Sequence, residues 1–471
     1  MELSEANPAL WQWLLQLGAI ALALLGANIL LRVAPGFKKS LLPTAVLAGF
    51  LLLALRYTGL VAFDKQLLEV LAYHGIAIGF AALSLKANNH QKKAKSKGAL
   101  LTLLKTGALI VGGYLLQGFL GLATSLLLHK TLLPGFFPAA GILLPMGYGQ
   151  GPGQANNIGG MYEGLGFAGG RSFGLSIAAA GYLSACIVGV IYLNIISRRR
   201  AKFSPEEASI LSAEGAEFDQ AEEAVFEELN EIPVTGAVDR LSIQITLVLG
   251  VYLAAYGVIR GVTALLQQVA PGAAVTVRAM LWGFNFLVAT GVALLAAFAL
   301  KKLRKKKVIK QQYQNDYLLS RISGFAFDVM IVAAIAAIDI SQLREYLLPF
   351  LLMTVLGAFF TLWYLLWLCP KIYPGYKYEA ILSMYGMLTG TISSGVLLLR
   401  EVDPQLKSPA VYNLLAGGGF AVLFGAPVLA FVAIAPRSVN LALLCLGLMA
   451  LYLAALTVFM VRAGRKAGAA G

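Results

Sequence analysis

Two polar, glycine-bearing segments carry the residue types in this chain that could bind a solute. The first contains GYGQGPGQANN at 147–157, and the second contains YGMLTGTISSG at 385–395. Their side chains offer neutral hydrogen-bond donors and acceptors, and their glycines let backbone groups approach a ligand closely. Broken helices can direct N–H groups at an anion and freed carbonyl oxygens at Na⁺. The chemistry predicted here is reversible binding of a small anionic or zwitterionic solute with a cation.

The candidate substrate-binding residues are small or neutral polar positions within these two segments. They are Gly149, Gln150, Gly153, Gln154, Asn156, Asn157, Thr389, Gly390, Thr391, Ser393 and Ser394. Any one of these side chains could instead satisfy the backbone groups of the broken helices themselves.

A separate metal or proton role is predicted for Asp328, which lies inside an apolar run. A charge near the bilayer centre costs at least about 2.5–3.5 kcal/mol on insertion scales, so Asp328 should face protein or water. It could hold Na⁺, carry a proton, or form a structural ion pair with Arg321. The sequence therefore does not determine whether transport is coupled to Na⁺ or to H⁺.

Composition places these residues in a membrane protein. Hydrophobic residues make up 59% of 471 residues and charged residues only 13%, unlike soluble domains, which are about half apolar and a quarter charged. A bilayer with an apolar core about 30 Å thick can accept such a surface. The net charge of +14 comes from short basic clusters between apolar runs, which is typical of membrane topology signals rather than of nucleic-acid binding.

Eleven apolar runs are each about long enough to cross a bilayer as a helix. They occupy residues 11–31, 41–61, 67–85, 99–128, 173–196, 242–259, 279–300, 318–338, 346–368, 411–434 and 439–461. Most of the basic residues fall on one side of such an alternating chain, and the positive-inside rule makes that side the cytoplasm. The predicted topology has the N-terminus outside and the C-terminus inside, in a bacterial cytoplasmic membrane.

This topology requires both polar segments, at about 137–170 and about 378–407, to enter and leave the membrane on the same side. The predicted fold is an all-α polytopic membrane protein with two inverted five-span repeats, each with a re-entrant glycine-bearing loop. The predicted domains are a first repeat at 1–200, an acidic cytoplasmic linker at 201–239, an inverted repeat at 240–435, and an extra span with a basic tail at 436–471. Inverted repeats with a site at their interface are typical of secondary transporters.

The chain resembles the bacterial sodium/glutamate symporters. The resemblance is carried by the layout of spans one to ten, and by LPTAVLAGF at 42–50, AIGFAALSLK at 77–86, GYGQGPGQA at 147–155 and YEAILSMYG at 378–386. It implies substrate and Na⁺ sites at the re-entrant loops and their following helices, in a homodimer with elevator-like movement. The chain departs from this family in its less glycine-rich second loop, its eleventh span and its long acidic linker.

The favoured function is Na⁺-coupled symport of glutamate or a similar small anionic or zwitterionic solute by alternating access. A transporter of citrate-like carboxylates is an alternative, although several carboxylates would favour an arginine and neither loop core contains one. An ion channel is a weaker alternative, because one chain does not supply four equal filter loops. No HExxH or Walker A sequence is present, so neither an enzyme nor a cofactor beyond the coupling ion is expected.

Overall fold

The computed structural model describes residues 8–34, 42–59, 63–86, 97–200, 239–269, 277–278, 281–403 and 408–468. Every regular element in these ranges is helical. The predicted linker at 201–239 lies, except for Asp239, outside the described residues, as does the end of the second polar segment at 404–407.

The α-helices are numbered here in chain order. They are α1 (Pro8–Val33), α2 (Thr44–Thr58), α3 (Lys65–Leu85), α4 (Lys97–Lys130), α5 (Leu143–Tyr148), α6 (Pro152–Glu163), α7 (Gly170–Arg200), α8 (Arg240–Val269), α9 (Asn285–Lys305), α10 (Asp316–Ala336), α11 (Ile340–Glu345), α12 (Leu347–Ile372), α13 (Lys377–Thr389), α14 (Ile392–Arg400), α15 (Pro409–Ile434) and α16 (Val439–Gly468).

Ten of the described helices are long and apolar enough to cross a membrane. They are α1, α3, α4, α7, α8, α9, α10, α12, α15 and α16. Each has at least 18 residues, and a helix rises 1.5 Å per residue, so each approaches the apolar thickness of a bilayer. The chain is therefore a multi-pass membrane protein, as its composition predicts.

The remaining expected span, at 41–61, contains the shorter helix α2. This helix has 15 residues, which corresponds to about 22 Å of rise. It begins after Pro43 and ends at Gly59, whose φ of 71° and N–H bond to the Arg56 carbonyl oxygen at 3.3 Å form a left-handed C-cap. Glycine suits this conformation because it has no Cβ. Among the described residues, the predicted eleven spans thus comprise ten long helices and one shorter one.

Each of the two polar segments folds as a pair of short helices separated by a non-helical turn. The first pair is α5 and α6, and Gly151 between them has a φ of 84° that favours glycine. Pro152 then occupies the first turn of α6, where its missing N–H costs nothing. The second pair is α13 and α14, separated by Gly390, which has a non-helical φ of −146° and ψ of −104°, and by Thr391, whose backbone is extended.

The chain divides into two compact units. Unit 1 comprises Met1–Lys65, Lys93–Gly215 and Ala334–Gly471, and unit 2 comprises Gln66–Lys92 and Ala216–Ala333. Within unit 1, α4 packs against α12, α15 and α16, and both short-helix pairs pack against α7. Within unit 2, α8 packs against α9, and Gly75 and Gly79 of α3 allow close approach of Met330 and Phe327 of α10.

Candidate functional site

The turns of the two short-helix pairs lie against each other inside unit 1. A Cβ atom built on Gly151 would stand 3.6 Å from Thr391 Cγ2 and 3.8 Å from the Gly390 carbonyl oxygen. The Tyr182 hydroxyl lies 3.9 Å from the same point, and Tyr182 stands near the middle of α7. The two helix breaks therefore meet about halfway along a long apolar helix.

Both second helices begin at this meeting point. Gly151 is the N-cap residue of α6 and Thr391 is the N-cap residue of α14, and neither end has a side-chain capping hydrogen bond. The first N–H groups of an α-helix have no partner within the helix, and they carry a partial positive charge. Two uncapped helix N-termini thus lie close together within unit 1, an arrangement that suits an anion.

Two buried side-chain oxygens accompany these N-termini. Gln154 and Ser394 each occupy the third position of their helix, and each is only 3% exposed. Gln154 Oε1 and Ser394 Oγ have no hydrogen-bond partner within the described protein. Leaving a buried polar atom unpartnered costs about 1–3 kcal/mol, so both oxygens are suited to contact a bound ligand.

Gln117 of α4 is a third such residue, and it is not among the binding residues predicted from the sequence. Its Nε2 donates to the Leu388 carbonyl oxygen at 2.8 Å and to Thr361 Oγ1 at 3.0 Å. Because a carbonyl oxygen can only accept, these bonds determine which end of the amide is nitrogen. Gln117 Oε1 therefore points away from Leu388; it is fully buried and without a partner. It lies 3.2 Å from the Cβ position of Gly149.

Tyr114 lies one turn before Gln117 on the same face of α4. Its hydroxyl donates to the Gly149 carbonyl oxygen at 3.1 Å. A Cβ atom on Gly149 would stand only 2.3 Å from the Tyr114 ring, so this contact requires glycine. Helix α4 thus holds the first break through Tyr114, and it holds the last turn of α13, just before the second break, through Gln117. A polar glutamine within the apolar run at 99–128 was the sequence signal that could have identified this role.

The other predicted loop residues are placed as follows. Gly153 is buried in the first turn of α6, Asn156 and Asn157 are buried at 3% and 5% exposure in its next turn, and Gln150 is half-buried. Thr389 Oγ1 donates to the Tyr385 carbonyl oxygen at 2.8 Å, which satisfies its own helix. The side chain of Ser393 lies outside the described part of the chain.

The two breaks correspond in a register that differs from the one predicted by aligning Tyr148-Gly149 with Tyr385-Gly386 in the sequence. That alignment places Gly153 opposite Gly390, whereas matching the N-caps places Gly151 opposite Thr391. The difference arises because α5 ends at Tyr148, whereas α13 remains helical for several residues beyond its own Tyr-Gly pair. The N-cap register also pairs the two buried third-position oxygens.

Asp328 has a different setting from the loop residues. It belongs to unit 2, whereas all eleven loop candidates belong to unit 1. Its side chain is exposed on α10, next to Phe325, which is 67% exposed. The Arg321 guanidinium lies over the Tyr317 ring at 4.9 Å. Within the described ranges, no group of three or more His, Cys, Asp or Glu side chains could hold a metal ion.

Charged side chains of unit 1 form pairs near helix ends rather than at the two turns. Glu163 Oε2 lies 3.3 Å from Arg171 Nε at the end of α6, and Lys65 Nζ lies 3.4 Å from Asp339 Oδ2. Burial opposes ionisation of Asp339, but the hydrogen bond from Ser341 and the charge of Lys65 outweigh it and lower the pKa of that carboxyl. The side chains described at the turns, by contrast, are neutral.

Two comparisons with known proteins find no relative of this chain. A scan against models of protein families finds no match to the chain, and a search of curated proteins finds no similar sequence. The interpretation of the site therefore rests on its own residues and geometry.

Proposed function

We propose that this chain is a secondary active transporter that carries a small anionic or zwitterionic solute, glutamate or a similar compound, in symport with Na⁺. One observation carries the proposal. Gly151 and Thr391 begin two uncapped helices and lie close to each other, about halfway along α7. Interrupted helices with converging termini are the arrangement by which secondary transporters bind ions and solutes within the membrane.

The helix N-termini supply the anion-binding part of this proposal. The side chains described at the two turns include Tyr114, Gln117 and Tyr182, which are neutral. Positive potential would therefore come from the N–H groups that begin α6 and α14. Partial charges of this kind match one carboxylate better than the several carboxylates of a citrate-like solute, which makes an amino acid or another monoanion the preferred substrate.

The buried oxygens supply the cation-binding part. Na⁺ in such transporters is coordinated by freed backbone carbonyls and other neutral oxygens. Gln117 Oε1 and Ser394 Oγ are buried without a partner, and the carbonyl end of α5 lies beside Gln117 at Gly149. We assign these atoms to the coupling ion, with Asp328 as a second candidate for Na⁺ or H⁺ coupling.

The proposal extends to topology and assembly. The two short-helix pairs would be re-entrant segments of two inverted five-span repeats, with the N-terminus outside and the C-terminus inside a bacterial cytoplasmic membrane. The resemblance to the sodium/glutamate symporters further implies a homodimer with elevator-like alternating access. The similar contact chemistry of the two breaks, with one buried third-position oxygen in each, supports the repeat.

The direct test is uptake into proteoliposomes of labelled glutamate, aspartate and citrate, each with an inward Na⁺ gradient and with a matched K⁺ gradient. We expect Na⁺-dependent uptake of glutamate or aspartate. Uptake of citrate alone would favour the carboxylate alternative. Equal uptake under the Na⁺ and K⁺ gradients would show that the protein transports the solute without coupling to Na⁺. No uptake of any of the three would contradict the assigned substrate class.

A further inference from the structure

Unit 2 contains a cavity of about 320 Å³ with a predominantly aromatic wall. The rings come from Tyr73 of α3, Tyr252 and Tyr256 of α8, and Trp282 just before α9. The Tyr256 and Trp282 rings meet edge to face at 5.7 Å between centroids. Aromatic pairs in this arrangement are stabilising beyond their buried area, so the wall is a packed feature of the unit.

The polar atoms of this wall bond to one another rather than to the cavity. The Tyr73 hydroxyl donates to the Trp282 carbonyl oxygen at 2.8 Å. The Tyr252 hydroxyl lies 2.6 Å from His74 Nδ1 and accepts from Asn285 Nδ2 at 3.1 Å. The cavity therefore presents ring faces and aliphatic carbons, and an apolar chain is the chemistry that fits it.

The cavity lies near one edge of the apolar layer. Helix α9 begins at Asn285, beside the cavity, and its basic residues begin at Lys301. Since a helix rises 1.5 Å per residue, these two ends are about 24 Å apart, close to the thickness of a bilayer core. Tryptophans such as Trp282 are enriched at the membrane–water interface. This depth is where phospholipid headgroups meet their acyl chains.

Arg260 stands beside the cavity at that depth. It lies one turn after Tyr256 on α8, with its guanidinium 5.9 Å from the Tyr256 ring centre and Nη1 donating to the Tyr256 hydroxyl at 3.2 Å. Its side chain is exposed on a helix that is otherwise apolar enough to span a membrane. An arginine in that setting is stabilised by an anion at the interface. Its planar guanidinium can donate two parallel hydrogen bonds to the oxygens of a phosphodiester.

We propose that this part of unit 2 is a binding site for an anionic phospholipid. The phosphodiester pairs with the Arg260 guanidinium, and one acyl chain lies in the cavity against the Tyr256 and Trp282 rings. The aromatic wall and the neighbouring positive charge are complementary to the two parts of one lipid molecule. This site does not depend on the proposed transport of a solute.

Native mass spectrometry of the purified full-length protein tests the site by counting bound lipids. The probes are phosphatidylglycerol and phosphatidylcholine with the same acyl chains. We expect the wild type to retain phosphatidylglycerol in preference to phosphatidylcholine. Because Arg260→Gln loses the charge-assisted contact to the phosphodiester, its retention of phosphatidylglycerol should weaken by about tenfold or more, which corresponds to about 1.4 kcal/mol or more.

Two further variants distinguish the site from general loss of charge or fold. Arg321→Gln is the matched control, because Arg321 also lies over the ring of a tyrosine four residues earlier, and its lipid retention should equal that of the wild type. Leu253→Trp fills the cavity from its wall and should weaken retention while Arg260 is kept. Unchanged thermal unfolding midpoints of the lipid-free variants would show that each is folded.

Four results would overturn the proposal. Equal retention of the two lipids by the wild type would show that the protein does not recognise the anionic headgroup. Preferential retention of phosphatidylcholine would instead indicate that the aromatic rings hold a quaternary ammonium. Full retention of phosphatidylglycerol by Arg260→Gln would show that the lipid binds elsewhere. A change from dimer to monomer in Leu253→Trp without loss of lipid would show that a second copy of the chain, rather than a lipid, covers this face.

Discussion

Gly151 and Thr391 lie close together within unit 1, with 3.6 Å between Thr391 Cγ2 and the position that a Cβ atom on Gly151 would take. Each residue begins a short helix that follows a break. Their proximity brings two distant polar segments of the sequence to one place. The same place is bordered by α4, whose Tyr114 and Gln117 bond to the two breaks separately.

Gly151→Ala should destabilise the protein through its backbone. The φ of 84° and ψ of −177° at Gly151 belong to a region that is nearly exclusive to glycine, and strain there is about 1–3 kcal/mol. The added Cβ atom would not clash with its surroundings, since the nearest atom, Thr391 Cγ2, would lie at an ordinary van der Waals distance of 3.6 Å. We expect a lower thermal unfolding midpoint and reduced solute uptake.

Gly250→Ala is the matched control for that prediction. Gly250 lies inside α8 and a Cβ atom there would meet nothing within 4 Å. Replacing such a glycine by alanine should stabilise the helix by up to about 1 kcal/mol. A Gly151→Ala protein that is as stable as Gly250→Ala would contradict the assigned backbone conformation.

Gln117→Met should weaken the response of uptake to Na⁺. The substitution keeps the approximate shape of the side chain but removes the buried Oε1 that we assign to the coupling ion, together with the two hydrogen bonds that Nε2 donates. We expect the Na⁺ concentration for half-maximal uptake to rise by about tenfold, which corresponds to about 1.4 kcal/mol. Uptake is measured over a Na⁺ series with choline as the replacing cation.

Thr361→Val provides the control for Gln117→Met. It removes one bond to Gln117 Nε2, at 3.0 Å, while Leu388 still holds the amide and Oε1 is unchanged. A small loss of stability of about 0.5–1.5 kcal/mol is expected, with the Na⁺ dependence retained. If both variants shift the Na⁺ dependence equally, the role of Gln117 is to position the helices rather than to contact the ion.

Asp339→Asn should change how stability depends on pH in the acid range. The folded state lowers the pKa of Asp339, so its carboxylate contributes stability above the unfolded pKa of about 3.9, and that contribution is lost as pH falls through the folded pKa. Asparagine keeps the N-cap of α11, where Asp339 accepts from the Ser341 N–H at 3.1 Å.

The measurement is the free energy of unfolding of both proteins between pH 3 and 8. We expect a difference of at most about 1 kcal/mol at neutral pH, because the pair with Lys65 is partly solvated, and convergence of the two curves at low pH. A difference that stays constant down to pH 3 would show that the charge of Asp339 contributes nothing.

Asp328→Asn tests the second candidate for coupling. An exposed carboxylate on a membrane-spanning helix is costly unless it meets water or a partner, and we expect its neutralisation to alter the Na⁺ or pH dependence of uptake while the purified protein remains folded. If the uptake rate of Asp328→Asn, its Na⁺ dependence and its pH dependence all equal those of the wild type, Asp328 has no role in the mechanism.

The membrane helices were predictable from sequence because apolar length alone determines them. The ten long helices match the apolar runs, and the breaks at Gly151-Pro152 and Gly390 lie where glycine and proline indicate them. The exact register of the breaks was not predictable, because α13 continues helically beyond Gly386, whereas α5 ends at the matching tyrosine, Tyr148. Helix α2 is shorter than its apolar run suggested, since Gly59 ends it.

The site was predictable only in part. Gln154 and Ser394 were candidates by type and position, but Tyr114 and Gln117 were not, because they act from a different helix and only tertiary structure brings them to the breaks. The exposure of Asp328 likewise depends on how α10 is rotated against its neighbours. A polar residue inside an apolar run indicates that a contact exists without indicating its partner.

Protection of a cysteine at position 391 tests most directly whether solute binds where the two breaks meet. In a Cys186→Ser background, Thr391→Cys places a thiol at the contact with Gly151, and its reaction with a small thiol reagent is timed with Na⁺ and with glutamate or aspartate. A solute present at ten times its dissociation constant should slow the reaction by about tenfold, and choline in place of Na⁺ should abolish the protection. A reaction rate that no transported solute changes, in a protein that still takes up that solute, would contradict a site at this contact.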